Sequence, residues 1–209
     1  MKINLETIAP EEIEKRSFEI IQSELKNPLD PETAPVIKRV IHTTADFDYA
    51  DTLYFSPGVM PVALDALKSG AHIVTDTNMA KTGINRTALE RLGIDAQCFM
   101  ADCDVAAAAQ ANGTTRAVAS MNKAAELQGP LIFALGNAPT ALIRLCELID
   151  EGRISPTLVI GAPVGFVNVV QSKELIIQTG VPCIVARGRK GGSNVAAAIV
   201  NALLYMLVR

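Results

Sequence analysis

With only two histidines, four cysteines and no surplus of positive charge, this 209-residue chain leaves little room for several common chemistries. Its formal net charge of -3 argues against a general nucleic-acid binder, because neutralising phosphates needs a basic excess. Cys98, Cys103, Cys146 and Cys183 do not form a disulfide-framework pattern, which points to a reducing, cytoplasmic compartment. Only Cys98 and Cys103 lie near each other, and with His42 and His72 the sole imidazoles, no zinc-binding spacing exists. No metal site is expected, and free thiols packed as small hydrophobes are the better reading of the cysteines. The most apolar segment, "VAAAIVNALLYMLVR", is too short to cross a bilayer and is interrupted by Asn201, so it reads as a buried helix. The opening stretch "MKINLETIAPEEIEKR" is too charged for a signal peptide. Gly-x-x-x-x-Gly-Lys-Ser/Thr, a strand-borne Gly-x-Gly-x-x-Gly and Gly-x-Ser-x-Gly are all missing, which leaves nucleotide binding and serine hydrolysis weakly supported.

What is present is a compact α/β composition, 49% hydrophobic and 20% charged, of a size that fits one domain over residues 1–209. Two helices are predicted within about residues 10–46, packed on an α/β core. The first carries Ile13, Phe18, Ile21 and Leu25 at helical spacing; the second carries Val36, Ile37, Val40 and Ile41, with Asp30 as a plausible cap. His42 then falls near a helix C-terminus. Beyond it, apolar runs at "HIVTD", "DAQCFMAD", "PLIFALGN", "TLVIGAP" and "PCIVARG" alternate with helix-like segments. That rhythm predicts a three-layer α/β/α domain around a mostly parallel sheet of about five strands.

Ligands of such sheets bind at the carboxyl ends of the strands, where this chain concentrates Gly, Asn, Asp, Thr and Arg. "RGRKGGSN", residues 187–194, places three cations before the final helix, which Ser193 or Asn194 can cap; it reads either as an anion site or as a solvated turn. "GNAPTALIRL" sets Asn137 beside a helix start, where its amide serves as a cap neighbour or as a ligand donor. Arg116 begins a helix, an unfavourable place for a cation, which favours an anionic partner. His72 opens a strand and reads as structural. His42, among threonines and aspartates, fits a satisfied imidazole and a proton-transfer group equally well.

"RSFEII" around Ser17, "RVIHTTADFD" around His42, "GNAPTAL", "GAPVGFV" followed by "SKE", and "RGRKGGSNVAAAIVNALLY" together resemble the precorrin-8X methylmutase family. The form is most similar to the cobalt-precorrin-8 methylmutases, and the resemblance runs from about residue 10 to the C-terminus. It implies a cofactor-free isomerase that moves a methyl group from C-11 to C-12 of a tetrapyrrole, any cobalt being carried by the substrate. It further implies that His42 donates and accepts the proton, that Ser17 and Arg116 touch substrate, and that the enzyme is a homodimer with its broad ligand near the subunit interface. Asn137, Arg187, Lys190 and Ser193 join the expected substrate-binding set because of their strand-end positions; cations there suit a ring fringed with carboxylates. One departure stands out. Where the family leads one to expect a small residue pair and often an acid before "SKE", this chain has Asn168, Val169, Val170 and Gln171. A carrier that holds a tetrapyrrole without chemistry, and a nucleotide-dependent α/β enzyme, are the rival expectations.

Overall fold

A computed structural model describes residues 6–208. The first five residues, part of the charged N-terminal stretch that argues against a signal peptide, lie outside that range, as does Arg209. After a short 3-10 turn at Pro10–Glu12, helix α1 spans Ile13–Glu24 and α2 spans Ala34–Thr44. In α2, Val36, Ile37, Val40 and Ile41 are all buried, as their spacing predicts. In α1 only Ile21 is fully buried; Ile13 is 51% exposed, so the predicted apolar stripe begins later than expected. Asp30 does not cap α2 itself. Its Oδ1 accepts from Glu32 N, stabilising the turn that feeds the helix.

The remaining elements are α3 (Tyr49–Thr52), β1 (Leu53–Phe55), α4 (Val59–Lys68), β2 (His72–Thr75), α5 (Asn78–Gly83), α6 (Arg86–Leu92), β3 (Ala96–Gln97), α7 (Cys103–Ala111), α8 (Arg116–Ala124), β4 (Leu131–Leu135), α9 (Pro139–Asp150), β5 (Leu158–Gly161), α10 (Val169–Gln178), β6 (Cys183–Ala186) and α11 (Ser193–Val208). Six strands form one sheet in the order β1-β6-β5-β4-β2-β3. All pairings are parallel except β1 with β6. The five predicted strands are therefore present, and β1 is an additional antiparallel edge. Its three residues follow a one-turn helix directly, too short a run to announce itself.

Strand side chains alternate between two cores, which makes the three layers. Ile132 and Ala134 of β4 meet α2, α4, α6 and α11 on one side. Leu131, Phe133 and Leu135 meet α7, α8, α9 and α10 on the other. The α11 segment predicted as a buried helix is one, and Asn201 explains its own position: its Oδ1 accepts from Asn85 N at 2.7 Å, and its Nδ2 donates to Gly83 O at 2.8 Å. It joins the helix to the α5–α6 turn. Among the described residues no helix is long and apolar enough to cross a membrane.

Candidate functional site

From β2 the chain steps outward to β3, then returns to β4 on the opposite side of β2, so the winding reverses between the ends of β2 and β4. In open α/β sheets this is where anions gather at a helix N-terminus. Here Asp76 occupies that place itself. Fully buried, its carboxylate accepts from Gly136 N (2.9 Å), Asn137 N (2.8 Å) and Ala138 N (2.7 Å) at the start of α9. Burial pushes its carboxyl upward, against the pull of those three donors. Asn137 is thus held by its backbone, not as a side-chain cap, and its side chain is exposed.

Glycines bring the neighbouring loops into backbone contact. A Cβ on Gly136 would lie 2.6 Å from Gly192 O, and one on Gly191 would collide with Ala162 O. Gly192 N donates to Ala162 O at 2.8 Å. The ends of β4, β5 and β6 therefore abut without intervening side chains. Ser193, expected as a possible cap, is the first residue of α11 and pairs its hydroxyl with that of Thr77 at 2.7 Å; Ala196 N instead donates to Gly192 O.

The exit of α2 forms the flank of this surface. His42 sits exposed in the last turn, its ring centroid 5.4 Å from that of Phe18. Ser17, adjacent to Phe18 on α1, is partly buried and donates its hydroxyl to Ile13 O. Arg39 fixes this arrangement from behind: its guanidinium makes two bonds to Glu14, at 2.9 and 3.0 Å, and lies between the rings of Phe18 and Tyr205. The helix stops at Ala45, in the left-handed region with φ 54°. Thr44 Oγ1 accepts from Asp46 N, and Asp46 Oδ1 from Asp48 N, which curls the two carboxylates back toward the final loop. There Lys190 Nζ reaches both, each at 2.6 Å. This holds the Asp46 carboxyl below its ordinary value despite burial, and raises the Lys190 ammonium. A cavity of about 290 Å³ lies alongside, lined by Thr43, Gly83, Asn194 and Asn201 among others.

A sequence of contacts thus joins most of the predicted residues. Phe18, the chain neighbour of Ser17, meets His42; Lys190 ties the α2 exit to the loop; Gly191, Gly192 and Ser193 lead to Gly136 and Asn137. From α9, Thr140 approaches Thr115, the residue before Arg116, at 3.4 Å. Arg116 is exposed at the start of α8, as its sequence position predicts, with no carboxylate partner among the described residues. Arg187 stands apart. Its guanidinium is taken by Glu174 at 2.9 and 2.6 Å and lies over Tyr54 at the antiparallel edge. Of the loop's three cations it is Arg189 that lacks a carboxylate partner among the described residues, and it covers the ring of Phe166 instead. Lys190, likewise, is already paired, with the two aspartates.

Sequence reasoning missed Asp76 and Lys173. Lys173 is 0% exposed, and its Nζ donates to Gly188 O and Lys190 O, both at 2.8 Å. The signal was its spacing: Val169, Ser172, Lys173 and Ile176 share one buried face of α10. The departure at Asn168 also has a local cause. Its φ of 58° is left-handed, a conformation that asparagine tolerates better than most residues. Val169 beneath it is buried, whereas Gln171 is exposed. Val164, Phe166 and Val167 protrude from the same loop, 46%, 81% and 79% exposed, so the strand-end surface combines apolar tips with cations.

His72 occupies the other end of β2, with Nδ1 2.6 Å from Asp95 Oδ1, consistent with a structural role. All four cysteines are free. Cys146 and Cys183 are buried thiols, pushed by that burial to about 12 and about 11 respectively. Cys103 is exposed and departs from the buried-thiol expectation. No cluster of three metal-ligating side chains occurs among the described residues.

Comparison with known proteins agrees over nearly the whole chain. Residues 12–206 match the sequence profile described as precorrin-8X methylmutase. The chain is 45% identical to the cobalt-precorrin-8 methylmutase of Salmonella typhimurium, covering 95% of this chain and 96% of that protein. It is 43% identical to the cobalt-precorrin-8 methylmutase of Priestia megaterium, covering 94% and 88% respectively. The solved structure of precorrin-8X methylmutase from Thermus thermophilus superposes with a TM-score of 0.87 at 40% identity, covering 94% of this chain and 95% of that one. With the α2 exit, the abutting strand-end loops and the α8–α9 rim all inside the matched span, the chain belongs to the precorrin-8X methylmutase family.

Proposed function

We propose that this protein rearranges cobalt-precorrin-8 in cobalamin biosynthesis, moving one methyl group from C-11 to C-12 of the ring, with His42 as the proton donor and acceptor. The reading rests on His42, an exposed imidazole steadied by Phe18 and bonded to no described side chain, at the edge of a surface of apolar tips and cations. An imidazole carries both a donor and an acceptor nitrogen, which suits it to general acid–base catalysis. The imidazolium gives a proton to the macrocycle, the methyl group migrates within that molecule, and a ring proton returns to His42 as conjugation is restored. Atoms balance without a methyl donor or cofactor, and the cobalt travels with the substrate.

The flat ring rests its faces on apolar side chains such as Phe166 and Val167, while its peripheral carboxylates draw on Arg116 and Arg189. Ser17 and the Asn137 amide add polar contacts, and Ser193 supports the loop beneath. A homodimer using the N-terminal helices encloses this open surface; the exposure of Ile13 and Ile20 supports that contact. The enzyme works inside the cell, where its free thiols stay reduced.

The test is to supply excess cobalt-precorrin-8 to purified protein and follow the visible spectrum. Multiple turnover is expected, with faster conversion of the cobalt-loaded ring than of the metal-free one. Stoichiometric binding without rearrangement would make the protein a tetrapyrrole carrier instead.

A further inference from the structure

Lys173 carries a charge-bearing side chain into the interior without any carboxylate partner among the described residues. Such burial is costly, and an apolar side chain of similar length on the same face as Val169 and Ile176 avoids that cost. What the amine does there is hold backbone: it donates to Gly188 O and Lys190 O, two carbonyls in the loop between β6 and α11. The same loop is bonded by Gly165 N to Arg189 O at 3.2 Å, and abuts Ala162 through Gly191. Its outer side chain, Lys190, grips Asp46 and Asp48 just after the helix that presents His42. Three elements distant in sequence therefore converge on one short stretch of backbone. Burial lowers the Lys173 amine to about 8, consistent with a group retained for the bonds it donates more than for its charge.

We infer that Lys173 is a positioning residue: by fixing the carbonyls of Gly188 and Lys190 it aims the Lys190 side chain at Asp46 and Asp48, and so holds the α2 exit and His42 in register with the strand-end surface. The inference deepens the proposed function and rests on His42 being the proton-transfer group. Its physical basis is that a displacement of about 1 Å at the reacting geometry costs up to about 100-fold in rate.

The experiment combines Lys173→Met, Lys190→Met and the double variant in the full chain. Each single change is expected to lower kcat about tenfold with little effect on KM, and the double variant to match the more severe single, because both break one path. Lys190→Arg, which keeps the cation, is expected to restore most of the loss. Independently of activity, Lys173→Met is expected to speed tryptic cleavage after Arg187 or Arg189, located by mass spectrometry, by about tenfold through release of the loop. Additive losses in the double variant, a Lys190→Met effect confined to KM, or unchanged cleavage would each overturn the inference. If Lys173→Met does not fold, Lys173→Gln, which keeps a polar end but is too short to reach both carbonyls, takes its place in both measurements, and an unchanged kcat in Lys190→Met, whose side chain is exposed, overturns the inference by itself. If the wild type turns over no cobalt-precorrin-8, the proposed function fails, while the cleavage comparison still decides whether Lys173 holds the loop.

Discussion

The junction of β2 with α9 and the exit of α2 are built from the same materials, aspartates facing donors, and they use them in opposite ways. At the junction Asp76 is sealed in, its carboxylate taken by three backbone N–H groups. At the exit Asp46 and Asp48 meet a lysine side chain at the surface, beside an imidazole left open. The general rule for α/β sheets sends a ligand to the first place. This chain has filled it with its own anion, which removes the main physical reason for a nucleotide-dependent reading. The second place, laid over the strand ends by an N-terminal helix, is the one left with reactive groups to offer. A fold's customary binding point and its chemically available point need not coincide.

That contrast can be broken at either side. The largest effect belongs to His42→Ala, expected to reduce turnover of cobalt-precorrin-8 by about 100- to 10,000-fold while leaving stability near wild type, since the side chain is exposed. Equal conversion by variant and wild type removes His42 from the mechanism. Asp76→Ala ranks second, with the reverse profile. Stripping the acceptor from three inward N–H groups is expected to cost about 3 kcal/mol, read by urea unfolding. Added formate, the size of the carboxylate removed, should recover part of that loss in the variant alone, because it restores an anion at the helix start; no such recovery means that Asp76 does not stand in for one. Smaller again is Arg116→Ala, expected to raise KM about tenfold with kcat little changed, as for a contact made equally in ground and transition states. Smallest is Arg187→Ala, expected to leave kcat/KM within about twofold, because Glu174 already holds that cation in an exposed pair. A large KM effect there would show that Arg187 leaves Glu174 for the substrate.

The sequence made the parallel strands legible because β2, β4, β5 and β6 are short apolar runs bounded by turn residues. The α2 face was equally plain from period alone. β1 was not, since three residues carry no period and its partner β6 lies at the far end of the chain. The site divides similarly. His42 and Arg116 stand out in the sequence as residue types in suggestive local settings, and their expected roles come from the resemblance alone. What local patterns cannot reveal is pairing: Lys190 meets Asp46 across 144 positions, and Arg187 is claimed by Glu174 rather than left facing the strand ends. Lys173 was hidden for another reason. A lysine on a helix is read as solvated, and only its coincidence with the buried face of α10 marked it otherwise.

The glycines where the ends of β4, β5 and β6 abut set limits on how this enzyme can be altered. With peptide against peptide at Gly136 and Gly191, the three loops behave as a single casting whose two seams admit no added methyl group. Libraries meant to change substrate preference are better spent on the protruding side chains of Val164, Phe166 and Val167, where bulk can vary while the Gly165 N bond to Arg189 O keeps the tip on the casting.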